Sequence, residues 1–349
     1  MRAGELDLPL PGAGQTARRW AALADWGGRD LSLARLAEGH VDALAILAEA
    51  GRAPVPGALY GVWASRSGGA AVRLEPRGAT RVLAGTMRFC SGARVLDRAL
   101  VVADAPEGAQ SDGAQSDGAQ PAGAQPDGAQ PDGARPDGAR PGGARPGGAQ
   151  PGGRVLVDVD VTAAGVVSLP DTWCTAAMAD ADTLDVVFDG VPIGDDDLVG
   201  EPGWYVDRPG FALGGAGVAA VWWGGAAGVL DRVLGHLRPT PDPHQLAHIG
   251  ELHAALAAAD ALLGGTAAAI DADPAANHGL AVATVRAAVE RAAREVVDRA
   301  PRIVGPAPLS RDADLARALA DLALYVRQHH AERDHAALGC EVVDRWRTA

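Results

Sequence analysis

The chain has 349 residues, 48% of them hydrophobic, and a net charge of −13. This length suggests about two domains, and the apolar content suffices for a sizeable core, which excludes a chain that is disordered throughout. The negative charge argues against non-specific binding to nucleic acid or to an anionic membrane.

The cysteine content indicates a reducing environment. The three cysteines, Cys90, Cys174 and Cys340, are odd in number and lack the spacing of a metal site. They therefore argue against a disulfide framework and a cysteine zinc site. Residues 1–25 contain charges and prolines but no apolar segment typical of a secretory signal, so we expect a cytoplasmic location.

The first region, residues 1–57, has a helical pattern. Its apolar residues recur at roughly helical spacing, as at Leu33, Leu36, Leu44 and Leu47. Gly51 and the prolines that follow end the pattern. We predict a shortened N-terminal helical domain of two short helices, with Asp30 as the N-cap of the second.

The second region, residues 58–203, is β-like. Short valine-rich segments are separated by clusters of Gly, Pro and Asp, and this spacing predicts a small β-barrel or sandwich rather than βαβ units. The predicted strands are 59–65, 71–76, 80–90, 98–103, 154–159, 164–169 and 183–189.

An insert at residues 106–153 interrupts this region. Glycine recurs every five positions from Gly108 to Gly153, in units such as GAQPD and GARPG. The period is not that of collagen, and the units have no apolar residue beyond alanine to pack. Because nothing would offset the entropy cost of ordering it, we predict a disordered loop.

The third region, residues 204–349, returns to a helical pattern. The uncharged stretch from Phe211 to Leu230 is rich in glycine and alanine and is therefore only weakly apolar, which predicts a buried helix rather than a membrane span. Three more helical segments follow, at 244–263, 277–299 and 312–337. Short connections between them predict a C-terminal four-helix bundle, so the whole chain has an α+β fold class.

Three segments carry a resemblance to a known family. Residues 60–65 (YGVWAS) match a strand written Tyr-x-Val-Thr-Glu-Pro, and residues 85–93 (GTMRFCSGA) match Gly-x-Lys-x-Trp-Ile-Thr-Asn-Gly. Residues 184–193 (LDVVFDGVPI) match the strand that ends the family's β-domain. Together with the order of helices, β-domain and bundle, these segments resemble the acyl-CoA dehydrogenase family of flavoproteins.

The resemblance implies FAD between the β-domain and the bundle. The backbone at Val62, Trp63 and Ala64 would contact the flavin, although Trp63 replaces the threonine that supplies a hydroxyl. Phe89 and Ser91 would approach the flavin ring, since a strand period of two places them on one face. The family's Arg-x-x-Phe-Gly, which reaches the FAD diphosphate, is not found before Gln245.

The position of the family's catalytic glutamate falls on His329. The apolar residues Leu315, Leu319, Leu322 and Val326 step by four and three, and the next step reaches His329, which should face the interior. A buried core histidine and a catalytic base are both compatible with that position. An imidazole is suited to proton transfer near neutral pH, and flavin-dependent monooxygenases of the same fold also use a histidine near this helix end.

The resemblance thus implies an oxidoreductase that acts on the CH–CH group of an acyl-CoA or similar thioester, with His329 as base. Two alternatives stay open: a flavin-dependent monooxygenase of the same fold, and an inactive paralogue that serves as a partner subunit. We expect a homodimer or homotetramer, and no nucleic-acid or membrane partner.

The histidine pairs do not predict a metal site. His244 and His248 are four residues apart with Glu251 nearby, but a metal needs a third convergent ligand. For His330 and Asp334 we expect a hydrogen bond along the helix face. The sequence therefore predicts no metal centre.

Overall fold

The computed structural model describes residues 6–65, 71–78, 80–105 and 153–348. Most of the predicted insert, 106–152, lies outside the described residues. In the described part, two helices precede eight strands, and seven helices follow. The strands are β1 Tyr60–Trp63, β2 Val72–Arg77, β3 Thr80–Cys90, β4 Arg98–Asp104, β5 Arg154–Asp160, β6 Val166–Leu169, β7 Leu184–Ile193 and β8 Leu198–Val199. The helices are α1 Thr16–Arg29, α2 Leu31–Glu49, α3 Trp204–Asp207, α4 Gly210–Gly235, α5 Pro243–Ala272, α6 Gly279–Val304, α7 Pro306–Arg311, α8 Ala313–Tyr325 and α9 Glu332–Thr348.

The two N-terminal helices are those the sequence predicts. The Asp30 side chain accepts a hydrogen bond of 2.9 Å from Leu33 N, so its predicted role as N-cap of α2 is confirmed. Glycines allow α1 to lie against the backbone of α4: a Cβ on Gly224 would be 1.9 Å from Ala24 O. As a result α1 and α2 share one apolar core with the C-terminal helices.

The strands form one mixed sheet in the order β6-β7-β3-β2-β4-β5-β8, with β1 parallel to β4. A single residue pair, Arg73 opposite Asp104, joins β2 to β4. Side chains from β2, β3, β4, β5 and β7 meet in one core, so the sheet curls on itself as a barrel or sandwich does. Leu100 and Leu156 point the other way and pack against Ile46 of α2.

Helix α4 is the central helix of the bundle. Its residue Trp222 is fully buried, and α1, α2, α5, α6 and α8 pack around it, so the predicted buried helix is confirmed. By length and hydropathy alone, α4 and α5 could each cross a membrane. Helix α4 is mostly buried among its neighbours, as the core helix of a bundle is.

The prediction of one helix over 312–337 is wrong, because the helix ends with α8 and a second helix, α9, follows a turn. A 3₁₀ turn, Val326–Gln328, leads to His329 in an extended conformation, and Ala331 has a left-handed φ of 45°. The Asp334 side chain accepts a hydrogen bond of 3.0 Å from His330 N, which closes the first turn of α9. The predicted hydrogen bond of His330 with Asp334 along a helix face is wrong in form: it comes from the backbone of His330, which precedes α9, and the His330 ring nitrogen Nδ1 lies 3.5 Å from Asp334 Oδ1.

Candidate functional site

The end of β1 carries the first predicted flavin contacts. Val62 and Ala64 are half-buried, whereas Trp63 is turned into the core of the β-domain. Trp63 Nε1 donates a hydrogen bond of 3.0 Å to Ser91 O. The indole therefore ties β1 to the chain after β3, and only the backbone of Trp63 is left for an outside ligand.

Phe89 and Ser91 do not share a strand face, so this expectation is wrong. The pairing of β3 with β7 shifts register between Met87 and Cys90, and Phe89 has a left-handed φ of 61°, as in a β-bulge. Ser91 follows the end of the strand, in a turn. Phe89 is 51% exposed and meets Trp173 edge to face, with ring centroids 6.5 Å apart.

Ser91 connects this turn to the segment before β7. Its Oγ lies 3.0 Å from Thr183 Oγ1, and each hydroxyl can be the donor. The backbone of Met178, a few residues earlier, donates a hydrogen bond of 2.5 Å to Asp321 Oδ1 on α8. Burial raises the pKa of Asp321. These bonds fix the end of the β-domain against the helical bundle.

His329 is buried, as the sequence predicts, but among helices. Only 3% of the residue is exposed, and burial lowers its pKa. Its Nδ1 accepts a hydrogen bond of 3.2 Å from Ala331 N, and its ring centroid is 5.1 Å from that of His335. None of its hydrogen bonds or ring contacts within the described residues reaches Phe89 or Ser91. The structure therefore joins Trp63 and Ser91 directly, but not His329 to them.

A buried ionic cluster on α2 and α8 was not anticipated from the sequence. Arg35 and Glu38 of α2 form an ion pair, and Tyr325 OH of α8 donates to Glu38 Oε2 at 3.5 Å. Burial and the nearby Asp42 carboxylate raise the pKa of Glu38 to about 7, while Arg35 acts in the opposite direction. Burial is also the main cause that raises the pKa of Tyr325.

The sequence held a signal for this cluster. Glu38 lies between Ala34 and Val41 on the buried face of α2, where an apolar side chain is the norm. A charged residue within an apolar stripe is expected to be paired, and perturbed carboxyl groups concentrate at functional sites.

Arg286 of α6 links this cluster to His329. It lies over the Trp222 ring at 4.9 Å and donates a hydrogen bond of 2.6 Å to Gly215 O. Burial lowers its pKa, and the carboxylates of Glu38 and Asp334 oppose that change. The helical domain thus contains buried polar groups on α2 and at the turn that holds His329, and Arg286 lies between them.

A cavity of about 280 Å³ lies between α2 and the start of α4. Asp42 and Glu49 of α2 face Arg208 across it, and Arg208 donates a hydrogen bond of 2.6 Å to Glu49 Oε2. Leu10, Leu213 and other apolar groups form most of the remaining wall. This volume is close to the lower limit of small-molecule pockets.

Comparisons with known proteins identify the fold. Residues 201–326 match the family model described as acyl-CoA dehydrogenase, C-terminal domain. No curated protein sequence gives a significant match.

Solved structures are similar over almost the whole chain. TdsC of Paenibacillus sp. A11-2, a dibenzothiophene monooxygenase solved with FMN and indole, has 19% identity and a TM-score of 0.72 over 95% of this chain and 84% of its own. The methanesulfinate monooxygenase MsuC of Pseudomonas fluorescens has 16% identity and a TM-score of 0.72 over 98% and 88%. KijD3, solved with FMN and a dTDP-linked amino keto sugar, has 20% identity and a TM-score of 0.72 over 95% and 83%. The chain therefore has the acyl-CoA dehydrogenase-like fold, and its residues 201–326 match the model of that family's C-terminal domain.

Proposed function

We propose that this protein is a flavin-dependent monooxygenase, an oxidoreductase that uses reduced flavin and molecular oxygen. The observation that carries the proposal is the fold shared over 95% of the chain with TdsC, a monooxygenase solved with FMN. MsuC, with the same fold, is also a monooxygenase. The flavin would supply the redox chemistry, and the protein would bind and orient it and exchange protons with the substrate.

The residues at the end of β1 and β3 fit the ring of a flavin. Phe89 offers an exposed aromatic face. In the Ser91–Thr183 pair one hydroxyl donates to the other, so one hydroxyl hydrogen stays available for a cofactor. Val62 and Ala64 are half-buried residues, and β1 pairs with β4 along one edge. These groups support binding of the isoalloxazine by aromatic packing and backbone hydrogen bonds.

We propose FMN as the flavin, and FAD as the alternative that the sequence resemblance implied. TdsC and KijD3 were both solved with FMN. The absence of an Arg-x-x-Phe-Gly segment before Gln245 supports the smaller cofactor, because that motif serves the FAD diphosphate. Chromatography of the flavin released from purified protein distinguishes FMN from FAD directly.

Two buried groups could exchange a proton with a substrate. Glu38, with a pKa of about 7, is one, since a catalytic group works best when its pKa is near the working pH. His329, which was predicted as the base, is the other. Burial lowers its pKa, which favours the neutral form of the ring.

Acyl-CoA dehydrogenation is a second candidate function. The match of residues 201–326 to the acyl-CoA dehydrogenase C-terminal domain favours it. In that case an acyl thioester would bind, and the protein would remove a proton next to the thioester carbonyl.

One experiment separates these functions. The protein is loaded with flavin, and two signals are recorded: oxygen consumption with supplied reduced FMN, and anaerobic bleaching of the flavin absorbance by acyl-CoAs of several chain lengths. A monooxygenase consumes oxygen faster than free reduced FMN does and is not bleached by acyl-CoA. Bleaching supports the dehydrogenase, and a protein that binds neither FMN nor FAD is the inactive paralogue.

The cofactor site is tested with a matched pair of variants. Phe89→Ala removes the exposed ring and should weaken FMN binding about tenfold or more, as for loss of one well-packed aromatic contact. Val167→Ala, at a residue of the β-domain that is 50% exposed, is the control and should leave FMN affinity unchanged. Equal affinities for both variants, by quenching of flavin fluorescence, would remove Phe89 from the site.

We also propose a cytoplasmic homodimer or homotetramer without nucleic-acid or membrane partners. Helix α5 supports it, because small residues cover much of its exposed face, which suits close packing of another helix. These residues include Ala254, Ala257, Ala258 and Ala261. Sedimentation equilibrium tests the proposal, and a monomer at micromolar concentration would contradict it.

A further inference from the structure

Three ligating side chains from separate elements converge beside the break between α8 and α9. Glu290 comes from α6, His329 from the break itself and His335 from the first turns of α9. One carboxylate oxygen and one ring nitrogen from each histidine all lie within 4.8 Å of one another. Glu290 and His329 are buried, and His335 is exposed. The left-handed turn at Ala331 is what returns the chain so that the two rings meet.

The Glu290 carboxylate points to a missing ligand. Its side chain is 2% exposed, and Oε1 forms an ion pair with Arg294 Nε at 2.7 Å and accepts a hydrogen bond from Arg327 at 3.1 Å. Its other oxygen, Oε2, is buried and has no hydrogen-bond partner within the described residues. A buried carboxylate oxygen without a partner is costly, which makes an unseen donor or cation the expected explanation.

We propose that Glu290, His329 and His335 form a binding site for a divalent transition metal. Two imidazoles and one carboxylate suit Zn²⁺, Co²⁺ or Fe²⁺ better than Ca²⁺ or Mg²⁺, which prefer oxygen ligands only. Arg294 and Arg327 contact Oε1 of Glu290, so Oε2 is left for the metal. In known metal sites, similar neighbouring groups orient the carboxylate that binds the metal.

The geometry requires a small contraction on binding. Metal bonds to these atom types are about 2 Å long, so the three ligand atoms must approach one another by roughly an ångström. His335 is exposed and free to make most of that movement. A metal either takes His329 Nε2 or displaces the 3.2 Å hydrogen bond from Ala331 N to Nδ1. A metal-bound His329 cannot be the general base that the family resemblance implied.

The test uses the full chain without flavin, in a background where the exposed thiols are removed by Cys174→Ser and Cys340→Ser. Co²⁺ is titrated and followed by its visible absorption, and Zn²⁺ binding is measured by calorimetry. We expect one metal per chain. His335→Ala should weaken binding on the order of tenfold to a hundredfold without unfolding the protein, since this side chain is exposed. Glu290→Gln should have a similar effect.

His253→Ala is the matched control, because His253 is an exposed histidine of α5 and should not alter binding. Circular dichroism confirms that each variant is folded. Absence of binding at millimolar metal would overturn the proposal, as would equal affinity in His335→Ala and the parent chain. Because no flavin is present, neither result depends on the proposed monooxygenase activity.

Discussion

The core inside the curled sheet and the core of the helical domain bury different kinds of residue. The core inside the curled sheet consists of apolar side chains such as Trp63, Met87 and Phe188. The helical domain buries ionisable groups within its core, among them Arg19, Glu38, Glu290, Asp321 and His329. A buried charge costs free energy unless it is paired. This difference indicates that the core inside the sheet contributes to stability. Stability alone does not require the buried polar groups of the helical domain, which makes them candidates for a role in function.

The largest effect expected on stability comes from the β-domain core. Trp63→Ala should lower the free energy of unfolding by about 3–5 kcal/mol, because it leaves a cavity and removes the hydrogen bond to Ser91 O. Denaturant titration measures it. Trp346, which is 80% exposed, supplies the control, since Trp346→Ala should change the free energy by less than about 0.5 kcal/mol. Comparable losses for both variants would mean that Trp63 is not part of a packed core.

The ionic cluster should behave differently from an apolar core. Glu38→Leu leaves Arg35 without its partner and should cost about 3 kcal/mol, measured by denaturant titration at pH 8. The double variant Arg35→Met, Glu38→Leu should regain most of that loss, because a well-packed apolar pair can replace a buried ion pair. If the double variant is as unstable as the single one, the stability that Glu38 provides does not come from its ion pair with Arg35 alone.

The contrast between the two regions also explains what the sequence could and could not predict. In the β-domain the valine-rich segments predicted seven of the eight strands that the described residues form, each within a few residues, because an apolar core makes the alternation of side chains visible. Strand β8 has two residues, too few to form a pattern. The bulge at Phe89 went unseen, since a left-handed φ is unusual for phenylalanine.

In the helical domain the apolar stripes predicted the long helices α1, α2, α4, α5 and α6, but neither the end of α8 at Tyr325 nor the polar interior. His329 was placed on the buried side by helical periodicity, yet the helix ends at Tyr325 and the burial of His329 arises from the turn. The convergence of Glu290 with His335 depends on that turn, so spacing along the chain could not reveal it. Glu38 was visible as a charge within an apolar stripe, but its partner Tyr325 comes from a distant helix.

The pH dependence of stability provides a test of Glu38. Its pKa is raised from an ordinary value of 4.5 to about 7, so the folded state holds a proton that the unfolded chain has lost. The stabilisation of the folded state by this bound proton is complete below pH 4.5 and is lost as the pH rises to about 7. The free energy of unfolding should therefore fall over this interval by up to roughly 3 kcal/mol.

Glu38→Gln, which cannot ionise, is the comparison for this measurement. Other carboxyl groups and histidines titrate equally in both proteins, so the difference between the two stability curves isolates Glu38 with its neighbours Arg35, Asp42, Tyr325 and Arg286. Urea unfolding at several pH values supplies the curves. Parallel curves from pH 4 to pH 8 would show that folding does not raise the pKa of Glu38.

The smallest effect concerns the backbone at the candidate flavin site. Phe89 has a left-handed φ of 61°, which glycine adopts without the penalty that a Cβ brings. Phe89→Gly and Phe89→Ala both remove the ring and its contact with Trp173, so the difference between them measures the backbone alone. Phe89→Gly should be more stable than Phe89→Ala by about 1 kcal/mol. The reverse order in denaturant titration would mean that the strand straightens when the ring is removed, and that the ring itself maintains the bulge.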